Sequence, residues 1–297
     1  MGASIIKAMR SFVGWASSRP YRLVLLTIVF VHILAPLSAG LLVVDALRRG
    51  PRAAMLSAIA AILGVSALGL IVGANLVDTL SLTAPILLGG AASGALLSWS
   101  RSLSLAFQGT IIGGIVVSFV LFGAFPEVSQ LGQMLQDEAL SLLEAGGASP
   151  AQLDQFASVD PIELVRVLLI LSLASLVAAL MLGYWWYALI GEGVRFGPDF
   201  RALKLGRVAG IVLMTLIVAD LFLDAELIQN VAPMAVIGFL FQGLSVLHAR
   251  AHNDKWPRAV IVLIYFTFVP WTYVALMGLS AIGLVDNFFD LRARPRT

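Results

Sequence analysis

The chain of 297 residues contains no cysteine, which removes disulfides, thiolate metal sites, iron–sulfur clusters and cysteine nucleophiles together. Its three histidines (His32, His248 and His252) are too few for a typical multi-histidine metal or di-haem centre. Charged residues are scarce as well, 12% of the chain, against about 25% in an ordinary soluble domain. No nucleophile–base–orienter set and no phosphate-binding loop is present, so neither an enzyme nor a cofactor or metal site is expected. What fills the chain is apolar: 60% of residues are hydrophobic and the mean hydropathy is +0.96. One bilayer crossing takes about twenty apolar residues. A water-soluble globule is therefore excluded. The composition specifies an all-α polytopic integral membrane protein, a single transmembrane domain over 1–297.

The net charge is only +2, and the basic residues sit in short loops between apolar runs. That pattern marks orientation in a bilayer and not a nucleic-acid surface. The runs fall at 22–48, 52–73, 76–99, 103–125, 161–190, 207–225, 228–248 and 258–290. Arg19 and Arg22 precede the first run, and Arg48, Arg49 and Arg52 follow it. The last run is bracketed by Arg250, Lys255 and Arg258 on one side and by Arg292, Arg294 and Arg296 on the other. A single crossing would put one cluster of each pair outside, against the positive-inside bias. Pro36 and Pro270 remove the conflict by dividing each run into a hairpin. Eight runs then give up to ten helical segments, with both termini cytoplasmic in a bacterial inner membrane. Of the nineteen Lys and Arg, only Arg166 falls off the inner side. The hairpin arms reach about 20 Å, short of the roughly 30 Å core, so they must tilt, extend or lean on neighbours.

Residues 3–17 place Lys7 and Arg10 among apolar residues ending in Trp15, the pattern of an amphipathic interfacial helix and not of a signal peptide. The stretch 126–160 has no Lys or Arg and six acidic residues, which fits the outer side. Val128, Leu131, Leu135 and Leu142 recur at helical spacing, and Ser149-Pro150-Ala151-Gln152 reads as a capping box. Two short helices are expected there, serving either as a lid over a cavity or as a helix resting on the interface.

Ionisable residues inside apolar runs are costly and so are functional candidates. Asp220 and Asp224 stand one turn apart in the outer third of 207–225, where both can face one side toward the outer mouth. The alternative is an acidic helix end that only marks the outside. His32 can bond a carbonyl near the Pro36 break or contact a ligand. Arg166, one turn inside its run, has Asp160 and Glu163 as ion-pair partners or else offers an anion site. His248 and His252 have metal-compatible spacing but no nearby third ligand beyond Asp254. Gln108, Gln229, Asn230 and Gln242 can bond between helices, and Gly90-xxx-Gly94 and Gly109-xxx-Gly113 permit close helix approach.

The loop 191–207 intersperses Arg195, Arg201, Lys204 and Arg207 with Phe196, Phe200, Leu203 and Leu205. Such a loop can lie on anionic lipid or dock a cytoplasmic partner. Asp286 and Asp290, four apart before Arg292 and Arg294, can bond that loop or the helix end. The segments 185–207 and 283–294, the latter reading Gly-Leu-Val-Asp-Asn-Phe-Phe-Asp-Leu-Arg-Ala-Arg, resemble the YybS-like family of bacterial predicted membrane proteins. That family is distantly similar to the substrate-binding S-components of energy-coupling-factor vitamin transporters and to the cell-shape protein MreD. The stretch from Pro36 through Gly50-Pro51 is similar to the short second helix and Gly-Pro turn of S-components. S-components are usually smaller, and the outer insert and C-terminal hairpin are departures from them. The resemblance implies an S-component-like fold and a compartment but no substrate.

Two expectations follow. The first is a non-enzymatic solute-binding or transport component holding an unidentified small molecule beneath 127–157. Asp220, Asp224, His32 and Arg166 are its candidate contacts. The second is a membrane scaffold, recruiting other membrane-protein subunits or touching lipid through Arg195, Phe200, Arg201, Lys204, Asp286 and Asp290. The lipid bilayer is a partner in both.

Overall fold

The computed structural model describes residues 2–125, 127–191, 193–267 and 272–292, and the regular elements among them are all helices. An N-terminal helix, α1 (Gly2–Ala16), precedes two short ones cut from the first apolar run, α2 (Pro20–Ile33) and α3 (Ala35–Arg49). Three longer helices follow: α4 (Pro51–Ile71), α5 (Leu76–Ser100) and α6 (Leu103–Ala124). The acidic insert forms α7 (Val128–Ala145) and α8 (Pro150–Ala157); α9 (Pro161–Leu189) leads into the basic loop, which contains α10 (Phe196–Arg201). Last come α11 (Gly206–Phe222), α12 (Glu226–Asn253), α13 (Arg258–Thr267) and α14 (Thr272–Phe289). Among the described residues, six helices are long and apolar enough to cross a membrane: α4, α5, α6, α9, α12 and α14.

The eight apolar runs thus yield ten helices, because the first and last are both divided. In the first, Leu34 is extended (φ −156°, ψ 95°) and Pro36 enters the opening turn of α3, where its missing N–H removes no helical bond. The last run parts between Thr267 and Thr272, and Pro270, the residue expected to divide it, lies outside the described residues, as do Arg294 and Arg296. Between α3 and α4 the chain reverses at Gly50, whose φ of +93° favours glycine, and Pro51 opens the next helix.

The short helix α3 is the centre of the first half of the bundle. Ser38 through Ala46 are buried without interruption, because α2, α4, α5 and α9 surround them. Fifteen residues reach only about 22 Å, so neighbours and not lipid cover this helix. Small residues let those neighbours close in. A Cβ on Gly90 would stand 2.7 Å from the Cβ of Ala39, and one on Gly94 would stand 2.8 Å from the Cα of Val43. Gly40 and Gly183 bring α3 and α9 together in the same way. The second Gly-xxx-Gly pair behaves differently: Gly109 meets only the flexible end of Leu96, and Gly113 meets nothing within 4 Å. A second core joins α6, α9, α11, α12 and α14, with α12 and α14 in backbone contact at Gly243 and Gly283.

The acidic insert packs on α9, where Gly132 lies against the Pro161 backbone. Gln136 Nε2 donates to the carbonyls of Val159 (2.8 Å) and Ala157 (3.1 Å), tying α7 to the end of α8. The expected capping contact forms, with Ser149 N donating to Gln152 Oε1 at 2.9 Å. Met134, Leu142 and Leu143 are exposed along α7, the character of a helix resting on an interface. α1 is two-sided in the same sense: Val13 and Ala16 are buried, while Ile5, Ile6 and Trp15 are exposed.

Candidate functional site

The bundle has two chemically different ends. One carries the insert; the other gathers the ends of α3, α5 and α9, the start of α6 and the 191–205 loop. Leu47, Leu97, Arg101, Tyr187 and Val194 line one cavity there, and Gln108 Nε2 donates to the Lys204 carbonyl at 3.1 Å. Most of the chemistry lies at this basic end.

The loop is locked from within by the C-terminal motif. Asp286 is buried at 1% exposure and accepts from Gln242 Nε2 at 2.8 Å and from Arg292 Nε and NH2 at 3.1 and 2.9 Å. Arg292 also donates to the carbonyls of Arg201 (2.6 Å) and Leu203 (2.7 Å), so one side chain links a buried carboxylate to the loop backbone. Gln242 Oε1 receives Leu205 N at 2.9 Å, Ser245 Oγ donates to the Phe200 carbonyl at 2.6 Å, and Asn287 Nδ2 donates to the Gly206 carbonyl at 3.1 Å. Buried polar groups are tolerable when satisfied in this way. Lys204 Nζ donates to Asp290 Oδ1 at 2.8 Å, and this hydrogen bond holds the Asp290 carboxyl below its ordinary range. Asp290 thus makes the expected contact with the loop, whereas Asp286 reaches it only through Gln242 and Arg292. Asp286 must be corrected as a candidate for lipid or partner contact, because its carboxylate is enclosed. Arg195 is exposed at the start of α10, and Arg207 is exposed on α11.

Beside this lock lies an open cleft of about 440 Å³. Ala178, Met181, Leu182 and Trp185 of α9 form one wall, and Phe241, Leu244 and His248 of α12 another. Phe196, Gly197, Phe200 and Arg201 of α10, with Tyr265 of α13, complete it. The rings form a ladder: Tyr184 meets Phe196 edge-on at 6.1 Å, Phe196 stacks on Phe200 at 5.5 Å, and Phe200 meets His248 edge-on at 5.5 Å. His248 Nε2 and the Tyr265 hydroxyl are 2.9 Å apart, a hydrogen bond between α12 and α13. The Arg201 guanidinium folds back beside Gly197 and has no hydrogen-bond or ion-pair partner among the described residues. A smaller cavity of about 250 Å³ adjoins, lined by Ser98, Arg101, Tyr184 and Tyr187 among others. There the Tyr184 hydroxyl donates to Asp199 Oδ2 at 2.6 Å. Among the described residues no group of three His, Asp or Glu is placed to hold a metal ion.

The residues expected at the outer mouth do not assemble a site. α11 ends at Phe222, so Asp220 is helical while Asp224 lies in the connector, and the two share no helix face. A helix C-terminus disfavours acidic side chains, whereas Asp224 now precedes the positive end of α12, where Gln229 Nε2 donates to it at 3.1 Å. Asp220 is half-buried and has no partner among the described residues. The insert packs chiefly along α9, while α11 packs on α12 and α14. Arg166 is committed to Glu163 Oε1 (2.6 Å) and to Asn230 Oδ1 (2.6 Å from NH2), a bridge between α9 and α12. Asp160 instead caps α9, accepting from Ile162 N at 3.0 Å. His32 is exposed in the last turn of α2 and has no partner among the described residues, so it makes no carbonyl bond at the Pro36 break. None of these four lines either cavity described above.

Sequence reading passed over Asp45. It is 1% exposed in α3 and pairs with Arg49 one turn on, and its Oδ2 has no partner among the described residues. The signal was available as an Asp–Arg pair at i, i+4 inside an apolar run. The cleft had no such signal, since its walls read as ordinary apolar and aromatic positions. No curated protein and no solved structure matches the chain significantly. The model of the family described as predicted membrane protein (DUF2232) matches residues 22–287, from α2 almost to the end of α14, and the chain belongs to that family.

Proposed function

We propose that this protein is a non-enzymatic solute-binding component of the bacterial inner membrane, with its basic end and both termini facing the cytoplasm. The observation that carries this reading is the cleft of about 440 Å³, within the roughly 300–1,000 Å³ of small-molecule sites and walled in their usual manner. Its apolar and aromatic side chains would hold the solute, with Arg201 as the charged group. The orientation is supported by the gathering of Lys and Arg at that end, and the solute-binding role by the resemblance to S-components. The ligand position differs from theirs as expected from sequence, because the outer-mouth residues line neither cavity. An assembly role is the second reading, favoured by the exposed guanidinium groups of Arg195 and Arg207.

One purification tests both. Wild type and Ala178→Trp, which fills the cleft, are isolated in mild detergent, and the retained small molecules are extracted and identified by mass spectrometry. A species held near one per chain by wild type and lost from monodisperse Ala178→Trp is the expected result. Equal content in the two proteins would overturn the solute reading. Envelope-assembly proteins co-eluting without a retained solute would favour the scaffold.

A further inference from the structure

We infer that the cleft takes a single-chain amphiphile with an anionic head, a carboxylate or a phosphate monoester, whose head is held by Arg201. This rests on the solute-binding reading and specifies its ligand. Three features converge on it.

The first is size. At about 30 Å³ per non-hydrogen atom, the figure for liquid water, about 440 Å³ accommodates about fifteen such atoms. That is most of one hydrocarbon chain, whose remainder can extend from the open cleft, and not the body of a two-tailed lipid.

The second is the distribution of polarity. Met181, Leu182, Phe241 and Leu244 offer an apolar track along α9 and α12, while the polar side-chain groups of the cleft belong to Trp185, Arg201, His248 and Tyr265. His248 and Tyr265 are already bonded to each other. Arg201 is the charged side chain lining the cleft, and its guanidinium has no partner among the described residues. A half-buried, unpaired cation at the end of an apolar track is complementary to an acid on an alkyl chain. A neutral lipid would leave the guanidinium uncompensated.

The third is access. The cleft is bounded on one side by α13, whose Val262, Leu263 and Phe266 are exposed. In a bilayer these residues would face hydrocarbon, so the open cleft would border the membrane's apolar interior.

Arg201 is a clean residue to alter, because its contribution to the loop lock is a backbone carbonyl, which any residue retains. The test is native mass spectrometry of the detergent-solubilised full chain titrated with palmitate, hexadecyl phosphate, hexadecanol and butyl phosphate. Wild type should retain one palmitate or one hexadecyl phosphate at least about tenfold more tightly than hexadecanol, the scale of one charged hydrogen bond. Arg201→Gln should erase that preference while still binding the chain, Arg201→Lys should restore part of it, and Ala178→Trp should lose all three long-chain compounds. Butyl phosphate binding as tightly as hexadecyl phosphate would overturn the amphiphile in favour of a soluble anion. Long chains bound without regard to the head group, in wild type and Arg201→Gln alike, would remove the anionic inference and leave the solute reading standing. No binding of any probe to wild type would overturn the amphiphile and leave the solute reading to the retained-solute comparison of wild type with Ala178→Trp.

Discussion

Asp286 and Asp290 stand one helical turn apart, yet their surroundings make them unequal. Asp286 is enclosed and shares a bidentate contact with Arg292, whose guanidinium also serves two loop carbonyls. Removing one partner of a buried pair strands the other charge, at a cost of about 3–5 kcal/mol. Arg292→Ala should therefore lower stability by about 3 kcal/mol or more and loosen the loop that carries Phe200 and Arg201. The Lys204–Asp290 pair is 40% and 55% exposed, and a solvated pair contributes roughly 0–1 kcal/mol. Lys204→Ala should change stability by less than about 1 kcal/mol. Because Lys204 lowers the Asp290 carboxyl, what the pair does contribute is present at neutral pH and lost as pH falls through that lowered value. Thermal unfolding of both variants in detergent, followed by tryptophan fluorescence, separates the cases. Comparable losses in the two would show that the enclosure of Asp286 is not what holds the loop.

At the scale of helices, the division of the first run was readable because two independent signals met there: arginines at both ends and a proline between them. Of the four amides expected to bond between helices, Asn230 and Gln242 do so, whereas Gln108 donates to the Lys204 carbonyl in the loop and Gln229 to Asp224 in the connector. The end of α11 was not readable, because apolar character runs on through Leu221, Phe222 and Leu223 and only the backbone turns. Nor did spacing distinguish the two Gly-xxx-Gly pairs, which the fold treats differently. Gly94 faces the backbone of α3, so a branched side chain there must push two helices apart. Gly94→Val should destabilise by about 1–3 kcal/mol, with Gly113→Val, beside open space, within about 0.5 kcal/mol of wild type. Paired melting curves decide it, and equal losses would mean that valine in any apolar helix, and not the close approach, is responsible.

The whole molecule is asymmetric from end to end, and that asymmetry fixes what the cleft can meet. The end with the insert carries acidic residues, and the opposite end carries Arg48, Arg49, Arg52, Arg101 and the basic loop. In the orientation proposed from the positive-inside bias, the cleft would lie in the cytoplasmic leaflet, where an anionic amphiphile would arrive from the membrane interior. Because the chain has no cysteine, single cysteines report topology without background. Arg52→Cys and Ala151→Cys are both exposed positions at opposite ends, so neither substitution disturbs a core. In intact spheroplasts an impermeant maleimide should label Ala151→Cys and spare Arg52→Cys, with Arg52→Cys becoming reactive once the membrane is opened. The reverse pattern would invert the molecule and put the cleft in the outer leaflet. Labelling of both in intact cells would mean that the helices do not carry the chain from one face to the other as their length and composition require.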